Sequence, residues 1–200
     1  MKILLSCLRI LPPEFAHLIA LHSIQILYRL KLIEIFFPNR FIGVPFTFKG
    51  LKFKNKLGIA AGLDKNGDFI NSLGSLGFGF IEVGTITPKS QPGNPKPRVF
   101  RFKDQEAIVN SLGFNNKGAQ KVKKNLLKIR NTYINNKIIG VNIGKNKSTK
   151  NAVDDYLYNI EYLGSLASYI TINISSPNTE GLRDLQLRGN IDNFLKKILD

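Results

Sequence analysis

Short, almost continuously apolar segments alternate with amphipathic ones through most of the chain, and this alternation restricts the possible folds more than any other feature. The apolar segments KLGIAAGL, FGFIEVGTI, KIIGVNIG and SYITINIS predict strands that are buried on both faces. Between them, segments such as NAVDDYLYNIEYLGSLA repeat apolar residues at helical spacing. Such strands, separated by helices, indicate an α/β fold with a parallel sheet covered by helices.

Polar side chains stand at the carboxyl end of every predicted strand. They are Asp64 and Lys65, Thr85 and Thr87, Asn142 and Lys145, and Ser175 to Thr179. One asparagine or serine at such a place is more often a turn residue or a helix cap. Parallel strands end on the same side of a sheet, so these ends together predict a shared pocket, as on the active face of a β/α barrel.

Two hairpins and a long loop interrupt the alternation. The segment VPFTFKGLKF predicts a hairpin before the first strand. After the second strand, TPKSQPGNPKP predicts a loop, and RVFRF with EAIVN predicts a second hairpin. Long loops at strand ends are usually functional, which adds weight to a pocket there.

The chain is strongly basic, with 29 Lys and Arg against 14 acidic residues and a net charge of +15, which favours anionic partners. The basic residues concentrate between Lys117 and Lys150, where Val122, Leu126 and Ile129 recur at helical spacing. This pattern favours the solvated outer face of a helix over a nucleic-acid patch, and no nucleic-acid partner is predicted. Cys7 is the single cysteine, which excludes a disulfide framework, and no metal site is expected.

Residues 1–40 differ from the rest in being apolar, basic and poor in acids. Basic residues interrupt every apolar run before it reaches the roughly 20 residues that span a bilayer. Pro12 and Pro13 break the segment, and a helix is predicted from Glu14 to about Arg29. Two short apolar helices with basic ends indicate a hairpin lying on an anionic membrane surface. A helical cap packed on the main domain explains the pattern equally well.

Several long motifs resemble dihydroorotate dehydrogenases of the membrane-associated, quinone-reducing class. They are NKLGIAAGLDKNG, GFGFIEVGTITPKSQPGNPKPRVFR, NSLGFNN, GVNIGKNK and INISSPNTEGLRDLQ, and the resemblance runs from about Pro13 to the last residue. It implies an FMN-binding β/α (TIM) barrel, of which residues 41–200 would form the N-terminal half, with residues 1–40 as a helical, membrane- and quinone-associated extension. It also implies oxidation of dihydroorotate to orotate in pyrimidine (UMP) biosynthesis, with FMN as hydride acceptor and a quinone as final acceptor. The implied location is peripheral, on the cytoplasmic side of the inner membrane.

The resemblance also implies roles for individual positions. Flavin contacts fall on Ala61, Gly62, Lys65, Thr85, Asn142 and Asn173, and substrate contacts on Lys65, Asn110, Ser111, Leu112, Gly113, Phe114, Asn173 and Asn178. Ser176 is implied as the base that takes a proton from C5 while hydride leaves C6 for flavin N5. His17 and Arg101 resemble residues near the quinone tunnel. Serine rather than cysteine at position 176 separates this chain from the soluble class.

These residue types suit the implied chemistry. Orotate is a flat ring edged with donors and acceptors, which carboxamides match, and it carries one carboxylate, which a lysine matches. A serine hydroxyl is a poor base in water and must be desolvated and hydrogen-bonded onward. Ser111 stands where the family often has arginine, and we expect a modest effect on loop packing.

Length is the largest departure from the family. An eight-unit barrel needs about 250 residues, whereas four strand and helix units are predicted here. The chain is therefore expected to be the N-terminal portion of a longer enzyme and to be inactive alone. Two alternatives stay open: another flavin-dependent dihydropyrimidine oxidoreductase, and a basic, non-catalytic protein that binds membranes or nucleic acid.

Overall fold

The computed structural model describes residues 6, 8–38, 43–133 and 138–199, and only the backbone of residues 130–133. Cys7 therefore lies outside the described residues. The helices are α1 (Pro13–Arg29), α2 (Ile33–Phe36), α3 (Ile70–Gly74), α4 (Gly118–Tyr133), α5 (Ala152–Leu163) and α6 (Asn190–Leu199), and 3₁₀ turns lie at Gly164–Leu166 and Arg183–Gln186. The strands are β1 (Phe46–Phe48), β2 (Leu51–Phe53), β3 (Gly58–Ile59), β4 (Phe80–Ile86), β5 (Val99–Phe102), β6 (Ala107–Asn110), β7 (Ile138–Ile143) and β8 (Tyr169–Ile172).

A four-stranded parallel sheet in the order β3-β4-β7-β8 forms the centre of the molecule. Val83 on β4 pairs with Val141 on β7, which in turn pairs with Ile170 on β8. Both valines are fully buried, as expected for strands covered on both faces. The two predicted hairpins are present as β1–β2 and β5–β6, both antiparallel. The predicted α/β class with a parallel sheet is confirmed.

The first strand of the parallel sheet is shorter than predicted, and the helix that follows it, α3, is short as well. Pairing of β3 stops at Ile59, and the chain then turns through Gly62, whose φ of +105° is unfavourable for other residues. Asp64 accepts hydrogen bonds from the backbone N–H groups of Asp68 (2.9 Å) and Phe69 (2.8 Å). These contacts hold the following residues in turns, so regular helix begins only at Ile70.

The basic helix α4 packs through one apolar face, as predicted. Val122, Leu126 and Ile129 are buried in the core. On its outer side, the ammonium group of Lys121 lies 3.5 Å from the Asp68 carboxylate, and that of Lys123 lies 3.9 Å from the ring centre of Tyr162. At least two of its lysines therefore stabilise local structure.

Helix α1 packs on the main body while exposing much of its apolar surface. The ring of His22 meets that of Phe69 edge-on with centroids 5.1 Å apart, and Gln25 donates to the carbonyl of Asp68 at 3.1 Å. Phe15, Leu18 and Ile26 are nevertheless half exposed. The packed cap expected as one of two explanations is thus present. Among the described residues, no helix is both long and apolar enough to cross a membrane.

Candidate functional site

Three side chains from neighbouring segments of the sheet form a hydrogen-bonded cluster near the carboxyl ends of the strands, in which Thr85 and Asn142 are buried and Asn173 is partly buried. The Thr85 hydroxyl of β4 donates to Asn142 Oδ1 of β7 at 2.7 Å. Asn173, which directly follows β8, donates from Nδ2 to Thr85 Oγ1 at 2.9 Å and to Asn142 Oδ1 at 3.2 Å. The structure thus brings together three of the predicted flavin residues.

Glu82 lies below this cluster and was missed by the sequence reasoning. Its Oε1 accepts from Asn142 Nδ2 at 2.8 Å, and its Oε2 accepts from the hydroxyls of Thr171 at 2.8 Å and Tyr169 at 3.1 Å. Burial is the main cause that raises the pKa of Tyr169, and the neighbouring Glu82 carboxylate adds to it. The available signal was a single acid in a mostly apolar strand, FIEVGTI.

The loop after β3 lies against the same strand end. The backbone N–H of Gly62 donates to the carbonyl of Gly84 at 2.8 Å, directly before Thr85. Lys65 folds back, and its ammonium group donates to the Gly62 carbonyl at 2.7 Å. Burial lowers the pKa of Lys65, and the nearby Glu14 carboxylate partly opposes this effect. Ala61 is partly buried beside Gly62, whose α-carbon faces open space.

The loop after β8 meets the end of the second hairpin. Asn178 Nδ2 approaches the carbonyl of Asn110 at 3.4 Å, and the Asn178 N–H donates to Ser176 Oγ at 3.2 Å. Ser176 is partly buried. Ser175 connects this loop to the buried cluster. Its backbone N–H and its hydroxyl both donate to Asn173 Oδ1, at 3.1 and 3.0 Å.

Side chains of the preceding loop hold residues 111–114 in place. Asn94 Nδ2 donates to the Ser111 carbonyl at 2.9 Å. Gln91 Nε2 donates to the carbonyls of Gly113 (3.1 Å) and Phe114 (3.2 Å). The Leu112 N–H donates to Asn110 Oδ1 at 3.3 Å, which closes the turn. This segment therefore presents its backbone in a fixed conformation.

A cleft of about 2090 Å³ is lined by α1, the loop after β3 and the β5–β6 hairpin, among other segments. The predicted site residues on its walls are Gly62, Lys65, Asn110, Leu112, His17 and Arg101. The other predicted residues do not line it: Ala61, Thr85, Ser111, Gly113, Phe114, Asn142, Asn173, Ser176 and Asn178. The predicted site residues therefore form two groups, one that lines the cleft and one that lies outside it and includes the buried cluster. Contacts at Gly62 and Asn110 join the two groups.

The two predicted quinone residues face this cleft from different elements. Arg101 on β5 donates to backbone carbonyls before α1, at 3.0 Å to Leu11 and 3.2 Å to Arg9. Burial lowers the pKa of His17, and the positive charge of Lys65 acts in the same direction. The cleft thus links α1, the hairpin and Lys65.

The ion pair between Arg98 and Glu14 was not predicted. The guanidinium of Arg98 contacts the Glu14 carboxylate at 2.9 Å and also donates to the carbonyls of Pro92 (2.6 Å) and Asn94 (2.8 Å). Hydrogen bonding to Arg98 is the main cause that lowers the pKa of Glu14. No sequence pattern pointed to it, because the two residues are 84 positions apart.

Within the described part of the chain, no group of three His, Cys, Asp or Glu residues could hold a metal ion.

Comparison with known proteins identifies the family. Residues 44–200 match the sequence profile of dihydroorotate dehydrogenase. The chain belongs to the dihydroorotate dehydrogenase family. A dihydroorotate dehydrogenase (quinone) from Marinobacter nauticus is 47% identical over 190 residues, which cover 94% of this chain and 54% of the relative. The protein of that name from Bartonella henselae is 46% identical over 193 residues, covering 96% and 51%.

Solved structures of the family have the same fold. The ligand-free enzyme from Eimeria tenella superimposes with a TM-score of 0.81 at 40% identity, covering 94% of this chain and 52% of that one. The Eimeria tenella enzyme in complex with ferulenol gives a TM-score of 0.73 at 44% identity, covering 78% and 43%. These neighbours and the parallel sheet agree with a fold of the TIM-barrel type. The chain spans about half the length of the curated relatives it matches.

Proposed function

We propose that this chain serves the oxidation of dihydroorotate to orotate in de novo pyrimidine (UMP) biosynthesis, with FMN as cofactor and a quinone as final electron acceptor. The observation that carries the proposal is the buried cluster of Thr85, Asn142 and Asn173, delivered by three neighbouring strands to one end of the sheet. Residues 41–200 would form the first half of an eight-stranded barrel, and residues 1–40 its membrane-associated extension.

The residues at this end of the sheet fit a flavin. Carboxamide and hydroxyl groups offer donors and acceptors to the polar edge of its ring, and the open space at Gly62 admits a flat group close to the backbone. FMN bound there would accept the hydride from C6 of dihydroorotate. Ala61 and Lys65 would contact the same cofactor from the loop after β3.

The substrate would lie between the buried cluster and the cleft. Lys65 would pair with the carboxylate of dihydroorotate, while the amides of Asn110, Asn173 and Asn178 would bond the edges of its ring. Ser176 would remove the proton from C5. Each buried amide left unpaired by a wrong ligand costs about 1–3 kcal/mol, which would supply selectivity. The segment 111–114 would close the site from the hairpin side.

The quinone would enter through the cleft beside α1, where His17 and Arg101 lie. A hydrophobic quinone stays in the membrane, so this entrance must meet the membrane surface. The exposed apolar residues of the first two helices, with the basic charge of the chain, support peripheral attachment to anionic lipid on the cytoplasmic side of the inner membrane.

Bleaching of bound flavin by dihydroorotate tests the proposed function. The protein as encoded by its gene is purified, and dihydroorotate is added without oxygen while the visible absorbance of the flavin is recorded. We expect a yellow protein that loses its colour at a rate dependent on the substrate concentration. A colourless protein that retards DNA on a gel would instead support the non-catalytic alternative.

Membrane attachment gives a separate prediction. A triple variant, Phe15→Gln, Leu18→Gln and Ile26→Gln, removes half-exposed apolar surface of α1 without touching its contacts to Phe69 or Asp68. Because inserting each such side chain contributes on the order of 1 kcal/mol, binding to anionic vesicles should weaken at least about tenfold. The measurement is co-sedimentation with vesicles, alongside flavin reduction by dihydroorotate, which should be unaffected.

Three exposed leucines on other helices provide the matched control. Leu127, Leu157 and Leu195 are exposed, to a somewhat smaller fraction, on α4, α5 and α6. Their replacement by glutamine should leave vesicle binding unchanged. Equal binding by both triple variants would contradict attachment through α1.

A further inference from the structure

A series of hydrogen bonds leads from the loop after β8 to Glu82, and in each of them the donor lies on the loop side and the acceptor on the Glu82 side. The Ser175 N–H donates to Asn173 Oδ1, Asn173 Nδ2 donates to Asn142 Oδ1, and Asn142 Nδ2 donates to Glu82 Oε1. Thr85 joins this chain as a branch, accepting from Asn173 and donating to Asn142. Each donor therefore faces towards Glu82.

The two ends of this chain fix its direction. A backbone N–H can only donate, and an ionised carboxylate can only accept. Each carboxamide between them could rotate by 180°, but a flipped Asn142 would place its oxygen against the Glu82 carboxylate and its NH₂ against Asn173 Nδ2. Both contacts would be unfavourable, so one orientation of each amide is selected.

The hydroxyls of Tyr169 and Thr171 hold Glu82 itself. They occupy Oε2, which leaves Oε1 directed at Asn142. Glu82 is partly buried, and its carboxylate has donors on both oxygens, which offsets the cost of removing a charge from water. Its partners come from β7 and β8, so it also links the strands that carry the site.

We propose that Glu82 is a positioning residue for the reaction: it holds the carboxamides of Asn142 and Asn173 in a single orientation and so fixes the base of the loop that carries Ser176. Its relevance to dihydroorotate oxidation rests on the proposed function. The orientation itself does not, because it can be measured from the stability of the protein.

Asn142→Asp tests the direction of the chain, because it replaces the amide donor with a second acceptor 2.8 Å from Glu82 Oε1. Adding Glu82→Gln supplies a donor to the introduced aspartate, while the remaining oxygen of the introduced glutamine can still accept from Tyr169 and Thr171. Adding Glu82→Met removes the same negative charge but supplies no donor. Comparing the two double variants therefore separates hydrogen-bond direction from charge repulsion.

The first measurement is the melting temperature as a function of pH. Besides the introduced aspartate, Tyr169 is the titratable group that hydrogen-bonds Glu82. In Asn142→Asp, two adjacent carboxylates must share a proton, which raises a folded-state pKa above the unfolded value of about 4. The folded variant then holds more protons than the unfolded chain, so its melting temperature should fall as the pH rises from about 5 to about 8. Glu82→Gln with Asn142→Asp should remove this fall.

Flavin reduction by dihydroorotate is the second measurement. We expect a reduction rate at least about tenfold higher in the double variant with glutamine than in the one with methionine. Equal stability and equal rates in the two double variants would overturn the proposal. If the unsubstituted protein is not bleached by dihydroorotate, the proposed function fails, whereas the pH dependence of unfolding still reports on Glu82.

Discussion

Replacing Ser176 with alanine is expected to leave the flavin bound and to slow its reduction by dihydroorotate about 10²- to 10⁴-fold, the usual contribution of a positioned proton transfer. The side chain is partly buried and accepts from the Asn178 N–H, so its hydroxyl hydrogen is free to point elsewhere. Stopped-flow absorbance under anaerobic conditions measures the reduction rate, and the ratio of visible to protein absorbance measures flavin content.

Ser165→Ala is the matched control for this substitution. Ser165 is exposed in the 3₁₀ turn that precedes β8, at the opposite end of that strand from Ser176. Its replacement should change neither flavin content nor the reduction rate. An unchanged rate in Ser176→Ala would remove Ser176 from its proposed role as the base.

Replacing Arg98 with methionine should lower the free energy of unfolding by about 3 kcal/mol or more, since it leaves a partly buried carboxylate without its partner. The Arg98 side chain is only 6% exposed and that of Glu14 27% exposed. The carbonyls of Pro92 and Asn94 would lose a donor as well. Chemical denaturation measures the change, and the exposed Arg188→Met should stay within about 0.5 kcal/mol of the unsubstituted protein.

Acid should weaken the same ion pair. Because Arg98 lowers the pKa of Glu14 in the folded state, the pair stabilises the protein above the ordinary glutamate pKa. This contribution is lost as the pH falls through the lowered pKa of Glu14. Arg98→Met with Glu14→Gln should lose less stability than Arg98→Met alone, because no charge is then stranded. An equal loss of stability in both variants would show that Arg98 stabilises the fold only through its hydrogen bonds to the Pro92 and Asn94 carbonyls.

The sequence was sufficient for the parallel sheet, both hairpins and the basic helix, because hydrophobic periodicity reports which face of each element is buried. It was insufficient where long-range backbone contacts override local pattern. The backbone N–H of Gly62 donates to the Gly84 carbonyl, and the Asp64 carboxylate accepts from the backbone of the turns that follow. Local sequence therefore predicted neither the end of β3 nor the start of α3.

The site was predictable in residue type but not in its internal arrangement. Motif resemblance pointed to Thr85, Asn142 and Asn173, and the structure joins them by hydrogen bonds. It did not point to Glu82, because the sequence around a single acid in a strand does not indicate which side chains will donate hydrogen bonds to it. The pair of Arg98 with Glu14 depends on how α1 packs, which no sequence period encodes.

A crystal structure of the gene-encoded protein with FMN and orotate tests the central claim most directly. The account predicts orotate stacked on the flavin ring, its carboxylate within hydrogen-bonding distance of Lys65 Nζ, and its ring edges bonded to the side chains of Asn110, Asn173 and Asn178. Ser176 Oγ should then lie beside C5. Orotate bound elsewhere, with Lys65 and Ser176 on separate surfaces, would contradict it.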